Sequence, residues 1–247
     1  MKLGILATGI TPDELIEQYG SYSDMFIQLF DQAGFSFEYE VYDVREDLFP
    51  ADADQCDGWI ITGSKFNVYH NDPWMQRLKA LIIDIHASGK PMVGICFGHQ
   101  IVAEAFGGRV EAFSGGWGVG LHRYDLCGSS EFMKQSGVAE AGSFAISSMH
   151  QDQVVVKPDN AETFACSDFC QYAGLVYDNQ ILTFQAHPEF NLAYEEELIE
   201  LRKGSVIPEH TAEDGLKGLR TGQPQADSLM VAGWMVRFLN DRMAMAA

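Results

Sequence analysis

Short apolar runs alternate with amphipathic segments along the first 108 residues. The apolar runs contain aliphatic, β-branched and aromatic residues and predict buried strands; they are "KLGIL" (2–6), "FEYEVY" (37–42), "DGWIIT" (57–62) and "PMVGI" (91–95). The segments between them show helical spacing; they are "SDMFIQLFDQAG" (23–34), "DPWMQRLKALIIDIHASGK" (72–90) and "HQIVAEAFGG" (99–108). Strands that alternate with helices of this length predict βαβ units and a mostly parallel sheet.

Residues that commonly begin and end helices frame two of these segments. We expect the first helix to have Ser23 as its N-cap and to stop before Gly34. For the second helix we expect Asp72 as N-cap, Pro73 at the first helical position and Gly89 as the stop.

After Gly108 the pattern changes to closely spaced strands with few helical stretches. These predicted strands extend the sheet in antiparallel fashion; they are "VGLHRYDL", "SFAISSM", "QVVV", "ETFACS", "YAGLVYD" and "QILTFQAH". "YDNQ" (177–180) predicts a hairpin turn at Asp178 and Asn179. From Asn191 the chain is expected to form a helix, a polar glycine-containing loop and a final helix over "DSLMVAGWMVRFLND".

The whole pattern predicts an α/β fold, an open, mostly parallel, doubly wound sheet of the flavodoxin-like kind with an antiparallel extension. No internal repeat, low-complexity linker or break in composition divides the 247 residues. We therefore expect a single domain that covers residues 1–247.

Composition narrows the possible partners. The 35 acidic residues outnumber the 16 Lys and Arg residues and give a net charge of -19, which disfavours nucleic acid and anionic lipid as partners. The opening "MKLGILATGI" is too short for a signal-peptide core, and no apolar run approaches the roughly 20 residues that span a bilayer. Five scattered cysteines without a CxxC pair argue against disulfides, a metal site or a cofactor, and predict a cytoplasmic protein with reduced thiols.

Cys96 stands between two glycines where a predicted strand meets a predicted helix, in "GICFG". The pattern G-x-C-x-G matches a nucleophile elbow, with sulfur in place of the serine oxygen. Such a turn holds the thiol at the helix N-terminus, where the dipole and the free N–H groups favour the reactive thiolate. The first of these N–H groups, that of Phe97, could also stabilise an oxyanion. The other four cysteines lack this setting and are expected to be ordinary buried thiols.

A nucleophilic cysteine needs a base, and two histidines have suitable settings. "AHPEF" places His187 and Glu189 two residues apart just after a strand, so that in extended chain both side chains point the same way. "MHQDQ" places His150 and Asp152 at the same spacing, also after a strand. Spacing alone leaves both pairs open, and neither has the third ligand that a metal site would need.

The two motifs together resemble the class I, triad-type, glutamine amidotransferase family, and in particular the glutaminase domain of GMP synthetase. "GICFGHQ" is followed about ninety residues later by "HPE". The resemblance implies Cys96 as nucleophile, His187 as general base and acid, and Glu189 as the group that orients His187. It also implies that His150, in "SMHQDQV", lies beside the glutamine pocket and is not the base.

The resemblance implies further site residues. "TGS" (62–64) occupies the place of the family's oxyanion strand, so the Gly63 N–H would join that of Phe97 in an oxyanion hole. Gln100 matches a glutamine that helps to hold the substrate, and Met149 and Gln151 would contribute mostly backbone contacts. The sequence departs from the family at "GSKFNVY", where a Gly-Gly-Pro or Gly-Pro-Gly segment is usual. Nothing after "HPE" resembles an ATP-binding synthetase.

Three functions are compatible with this sequence. The first is hydrolysis of the γ-glutamyl amide of glutamine through a thioester, with ammonia passed to a separate synthetase subunit. The second is a free-standing γ-glutamyl peptidase that acts on glutathione-like compounds. The third, a non-catalytic binding module, is disfavoured by the intact set of Cys96, His187 and Glu189.

Overall fold

A computed structural model describes residues 1–135 and 137–246 of the chain. Within these ranges the strands β1 to β11 are Lys2–Ala7, Glu38–Asp43, Gly58–Ile61, Met92–Ile95, Arg109–Ala112, Gly118–Leu126, Ser143–His150, Asp152–Val156, Ala161–Cys166, Gly174–Tyr177 and Ile181–Phe184. The helices α1 to α8 are Asp13–Tyr19, Tyr22–Gln32, Pro73–Ala87, Phe97–Ala105, Glu131–Gln135, Leu192–Arg202, Glu209–Arg220 and Ser228–Ala246.

Nine strands form one sheet in the order β2-β1-β3-β4-β11-β10-β9-β6-β7. The first five of them are parallel to one another, with registers such as Ile5↔Ile60 and Phe184↔Ile95. Counting β11 as the fifth strand, their order is 2-1-3-4-5, the order of flavodoxin-like doubly wound sheets. The predicted fold class is confirmed in this half of the sheet.

The other four strands extend the sheet in antiparallel fashion, as predicted. Two strands that were predicted to belong to this extension do not: β11, in "QILTFQAH", returns from β10 through a hairpin and so pairs parallel with β4, and β8, in "QVVV", pairs with β5 outside the large sheet. Asp178 and Asn179 join β10 to β11 with φ values of 47° and 56°. Two successive positive φ angles are those of a type I′ turn, the tight turn whose twist fits a hairpin. Strands β5 and β8 pair separately as a two-stranded ribbon.

Both faces of the parallel sheet are buried under helices. Residues that alternate along each strand belong to two different apolar clusters; Ile60 packs in the first with α2 and α8, and Trp59 and Ile61 pack in the second with α3 and α4. A sheet covered on both faces produces the near-continuous apolar strands seen in the sequence. Among the described residues, no helix is long and apolar enough to cross a membrane.

Two local predictions about helices were wrong, and one helix was missed. The N-cap of α2 is Ser21, not Ser23; Ser21 forms a capping box with Asp24, and the pattern alone did not separate the two serines because both fit it. The polar loop expected after α6 contains helix α7, whose buried Ala212, Leu216 and Leu219 form a helical stripe that its two glycines obscure. Helix α1 was not predicted.

Helices α1, α6 and α7 pack together over one end of the sheet. Their apolar side chains form a third cluster that also contains Val119 of β6 and Met149 of β7. Phe190 of this cluster stacks on His187, which comes shortly after the carboxyl end of β11. Ligands bind beyond such ends in open α/β sheets, so helix α6 borders the expected site.

Candidate active site

Cys96 lies directly between β4 and α4 in a strained backbone conformation. Its φ of 52° and ψ of -101° are unusual for a residue with a side chain. Strain of this kind costs roughly 1–3 kcal/mol and is concentrated at functional sites. The Cys96 N–H donates to the Phe184 carbonyl at 2.8 Å, so the strained turn is anchored to β11. The expected elbow is therefore present.

The two glycines of the elbow are required by close approach of the backbone. A Cβ on Gly98 would lie 2.5 Å from the Ile61 carbonyl oxygen, and one on Gly94 would lie 2.9 Å from the Gly98 carbonyl. No side chain fits at such distances. The G-x-C-x-G spacing thus lets α4 pack tightly against β3 and β4 while the thiol occupies the turn.

His187 and Glu189 form a buried pair after β11. Nδ1 of His187 lies 2.8 Å from Oε1 of Glu189, and the two residues are 3% and 5% exposed. The His187 N–H donates to the Ser147 carbonyl at 2.8 Å, which fixes the backbone. The imidazole stacks on Phe190 with ring centroids 3.9 Å apart and planes 5° from parallel. Glu189 thus holds the edge of the His187 ring, and Phe190 packs against its face.

The thiol and the imidazole meet at Gly63. A Cβ on Gly63 would lie 2.6 Å from Cε1 of His187 and 3.6 Å from Cβ of Cys96, so both side chains flank the same small space. Burial disfavours the charged imidazolium, but the Glu189 carboxylate and Cys96 outweigh this and raise the pKa of His187 to about 10.

The second histidine–acid pair has a different arrangement. Nδ1 of His150 lies 3.2 Å from the backbone oxygen of Asp152, and the carboxylate of Asp152 accepts a hydrogen bond from Tyr69 at 3.4 Å. Burial, with a smaller contribution from His122, lowers the pKa of His150 to about 3. His150 is therefore a neutral imidazole without a carboxylate partner.

The two predicted oxyanion residues are both neighbours of Cys96: Gly63 lies beside it in space, and Phe97 is the next residue in the chain. Gly63 comes after β3, and the Thr62 carbonyl, in the same peptide unit as the Gly63 N–H, accepts from the Thr8 hydroxyl at 2.8 Å, which fixes the orientation of this peptide. Phe97 is the first residue of α4, where backbone N–H groups have no partner within the helix. Its ring is held by stacking on Trp74, with centroids 5.5 Å apart.

A cavity of about 340 Å³ opens beside Cys96. Cys96, Gln100, Met149 and Gln151 all contribute to its wall. Nε2 of Gln100 donates to the Asp152 carbonyl at 2.9 Å and to Oε1 of Gln185 at 3.2 Å, so its amide is oriented. The remaining lining residues are Ser64, Lys65, Phe66, Asn67, Trp117, His150, Asp152, Arg202 and Val206.

Several of these lining residues were missed by sequence reasoning. Trp117, Lys65 and Arg202 come from three separate parts of the chain, and no motif connects them. Phe190 was also missed, although its place directly after "HPE" is a signal that could have identified it. Among the described residues, no cluster of three or more His, Cys, Asp or Glu is arranged to hold a metal ion.

Comparisons with known proteins agree with this geometry. The family model "Glutamine amidotransferase class-I" matches residues 14–202. Gamma-glutamyl peptidase 5 of Arabidopsis thaliana is 33% identical over 178 residues, 70% of this chain and 69% of its own length. A glutamine-hydrolysing GMP synthase subunit from Methanosphaera stadtmanae is 32% identical over 102 residues, 40% of this chain and 51% of its own length.

A solved structure supports the fold. The crystal structure of a glutamine amidotransferase from Thermotoga maritima superimposes with a TM-score of 0.71 over 98% of this chain and 97% of that one. At 19% identity this likeness shows the fold alone.

The protein has an α/β fold of the glutamine amidotransferase kind, with a cysteine at the turn between a strand and a helix. The chain belongs to the class I glutamine amidotransferase family. This membership and the peptidase relative indicate a hydrolase.

Proposed function

We propose that the protein hydrolyses γ-glutamyl amide bonds by means of a Cys96–His187–Glu189 triad. The observation that carries the proposal is the buried 2.8 Å pair of His187 and Glu189 beside the strained elbow of Cys96. A nucleophile, a base and an orienting carboxylate are the three parts of such a site, and a cavity supplies room for a substrate.

In the first half of the reaction, the Cys96 thiolate, paired with the His187 imidazolium, attacks the γ-carbonyl carbon. The tetrahedral intermediate carries its negative charge on the former carbonyl oxygen. Collapse of this intermediate breaks the C–N bond, and the His187 imidazolium gives its proton to the leaving nitrogen. A γ-glutamyl thioester remains on Cys96, and a neutral amine departs.

In the second half, water attacks the thioester carbonyl while neutral His187 accepts the water's proton. The C–S bond breaks, glutamate leaves, and the Cys96 thiolate and the His187 imidazolium are restored. Throughout both halves, Glu189 keeps Nε2 of His187 directed at the reacting atoms and stabilises the imidazolium. No step requires a metal ion or another cofactor.

We assign the oxyanion hole to the N–H groups of Gly63 and Phe97. Gly63 comes after β3 and lies beside Cys96, and Phe97 is the first residue of α4. Donors already fixed in place stabilise the developing charge without having to reorganise. We assign Gln100, Met149 and Gln151 to binding of the glutamyl part, because all three line the cavity that Cys96 faces.

The leaving group distinguishes two versions of this activity. Release of ammonia from glutamine would make the chain a glutaminase with a separate synthetase partner, a version favoured by the relative that is a GMP synthase subunit. Release of an amino acid or peptide would make it a γ-glutamyl peptidase, a version favoured by the peptidase relative and by a cavity in the size range of small-molecule sites. In either version we propose one domain over residues 1–247, acting in the cytoplasm.

The test is incubation of the pure chain with glutamine, glutathione and γ-glutamyl dipeptides, with Cys96→Ala as the control. Rapid cleavage of the peptides by the isolated chain supports the peptidase. Glutamate release from glutamine that needs a second protein supports the amidotransferase. If the wild type and Cys96→Ala release no glutamate under any of these conditions, the hydrolase proposal is wrong.

A further inference from the structure

The wall of the cavity beside Cys96 contains more cationic residues than acidic ones. Two cations, Lys65 and Arg202, share its wall with one carboxylate, Asp152. His150 adds no charge, because burial lowers its pKa to about 3. Burial also raises the pKa of Asp152, and protonation of that group would only enlarge the excess of positive charge. The cavity wall therefore carries a surplus cation in a chain with a net charge of -19.

Among the residues that the structure describes, no carboxylate lies within 4.0 Å of the charged group of Lys65 or Arg202, although carboxylates are abundant on the surrounding surface. Lys203, the residue after Arg202, lies 2.8 Å from Glu213, and Arg220 lies 2.7 Å from both Glu196 and Glu200. These two neighbouring cations thus form close ion pairs with acids, and Arg202 does not.

The end of α6 presents Arg202 from a rigid position. Its carbonyl oxygen accepts from three successive N–H groups, those of Ser205, Val206 and Ile207, at 3.2, 3.0 and 3.1 Å. Val206 lines the same cavity. A guanidinium on a fixed helix end can bind a carboxylate with two parallel hydrogen bonds at little cost in conformational entropy.

A γ-glutamyl group carries one α-ammonium and one α-carboxylate. Asp152 matches the ammonium, and the two cations share the α-carboxylate. Two positive charges then face a single carboxylate when the substrate is glutamine, whose side-chain amide is uncharged. A second carboxylate, placed in the leaving group, would balance the cavity wall.

Resting on the proposed hydrolase function, we propose that Lys65 and Arg202 together select γ-glutamyl peptides with a free carboxylate in the leaving group. Glutamine and γ-glutamyl amides lack that carboxylate and are the poorer substrates. These two residues determine specificity and take no part in the bond-breaking steps. The pair thereby separates the peptidase version of the activity from the glutaminase version.

The test compares γ-glutamyl-glycine with γ-glutamyl-glycinamide, which differ only in the terminal carboxylate. We expect wild-type kcat/KM to favour the free acid by about tenfold, the scale of one charge-assisted contact. Arg202→Gln and Lys65→Gln should each reduce this preference, and the double variant should bring it close to one. Arg202→Lys, which keeps the charge, should retain most of the preference. Lys217→Gln, on the exposed face of α7, is the matched control and should leave the preference unchanged.

The outcomes separate this inference from the function on which it rests. Efficient cleavage of acid and amide with equal kcat/KM overturns the inference and leaves the hydrolase intact. A preference that survives in the double variant overturns it as well. Cleavage of neither compound, nor of glutamine, overturns both proposals. Calorimetric binding of both compounds to Cys96→Ala should show the same preference without turnover, and equal affinities there would also contradict the inference.

Discussion

Two histidine–acid pairs with the same spacing have opposite electrostatic environments in this molecule. In "HPE", Nδ1 of His187 contacts the Glu189 carboxylate at 2.8 Å, and the pKa of this histidine rises to about 10. In "HQD", Nδ1 of His150 contacts only a backbone oxygen, and the pKa of this histidine falls to about 3. Both imidazoles are buried, so the position of a carboxylate decides the sign of the shift.

The difference arises from the residues that come after each strand. Pro188 comes after His187 and restricts the backbone, and the Glu189 side chain returns to the imidazole. After His150 the chain continues almost at once into β8, and the carboxylate of Asp152 turns towards Tyr69. Topology adds a second difference, because His187 comes after β11, the hydrogen-bonded neighbour of the β4 strand that ends at Cys96. Spacing in the sequence encodes neither effect.

The largest expected effect separates the two histidines by activity. We expect His187→Ala to lower kcat by about 10⁴-fold or more, as Cys96→Ala does, because the triad acts as a unit. We expect His150→Gln to change kcat by less than about tenfold and to act mainly on KM, since His150 only lines the cavity. Steady-state kinetics with a γ-glutamyl dipeptide checks this. An equal loss of kcat in both variants would remove the distinction between the pairs.

A smaller effect is expected for the acidic partners. Glu189→Gln should reduce kcat by about 10²–10⁴-fold, less than loss of the nucleophile, because it affects only the orientation and charge of His187. Asp152→Asn keeps the backbone oxygen that His150 contacts, so kcat should fall by less than about tenfold. Kinetics of the two isosteric variants, side by side, tests whether one carboxylate alone supports the base. A larger loss of kcat in Asp152→Asn than in Glu189→Gln would mean that His150 and Asp152, not His187 and Glu189, supply the base and its carboxylate.

The two pKa shifts predict opposite effects of pH on stability. The pKa of folded His187 is raised from 6.5 to about 10, so its stabilising contribution is complete below pH 6.5 and is lost as pH rises to about 10. The pKa of folded His150 is lowered from 6.5 to about 3, so its contribution is complete above pH 6.5 and is lost as pH falls to about 3.

Urea denaturation of the wild type, His187→Gln and His150→Gln across this pH range measures both effects. The unfolding free energy of wild type relative to His187→Gln should decrease as the solution becomes alkaline. The same difference relative to His150→Gln should decrease as the solution becomes acidic. Two parallel pH dependences would show that the imidazoles share one kind of environment.

The smallest expected effect concerns the face of the His187 ring. Phe190→Leu removes the stacked ring at 3.9 Å and leaves the Glu189 contact in place. Aromatic pairs contribute about 0.5–1.5 kcal/mol, so kcat should fall by only about 2- to 10-fold. Phe169, which lies 5.8 Å from the His150 ring, is the matched position, and Phe169→Leu should leave kcat nearly unchanged. A loss beyond about 100-fold in Phe190→Leu would mean that stacking, not Glu189, holds the base.

Periodicity in the sequence predicted the parallel half of the fold well. The strands β1, β3 and β4 are buried on both faces, so their apolar runs are unambiguous. Helix α7 was missed because Gly215 and Gly218 interrupt it and because its apolar stripe is short. Helix α1 has only seven residues, and tertiary packing against α6 supplies stability that no local signal reveals.

The residues of the site also fall into those that local sequence predicts and those that it does not. The elbow of Cys96 could be read from the sequence because the close approach of α4 to β3 and β4 requires glycines at fixed spacing. The choice of His187 over His150 required the family resemblance, because the spacing is the same for both. Arg202 and Trp117 could not be found at all, because long-range folding alone brings them to the cavity of Cys96.

The most direct test of the account is to trap the acyl-enzyme in wild type, His187→Ala and His150→Gln. Each protein is mixed with a γ-glutamyl dipeptide, quenched in acid, digested and analysed by mass spectrometry. The account predicts a γ-glutamyl adduct on Cys96 in wild type and in His150→Gln, and none in His187→Ala. An adduct on any other residue, or one that forms without His187 but not without His150, would contradict it.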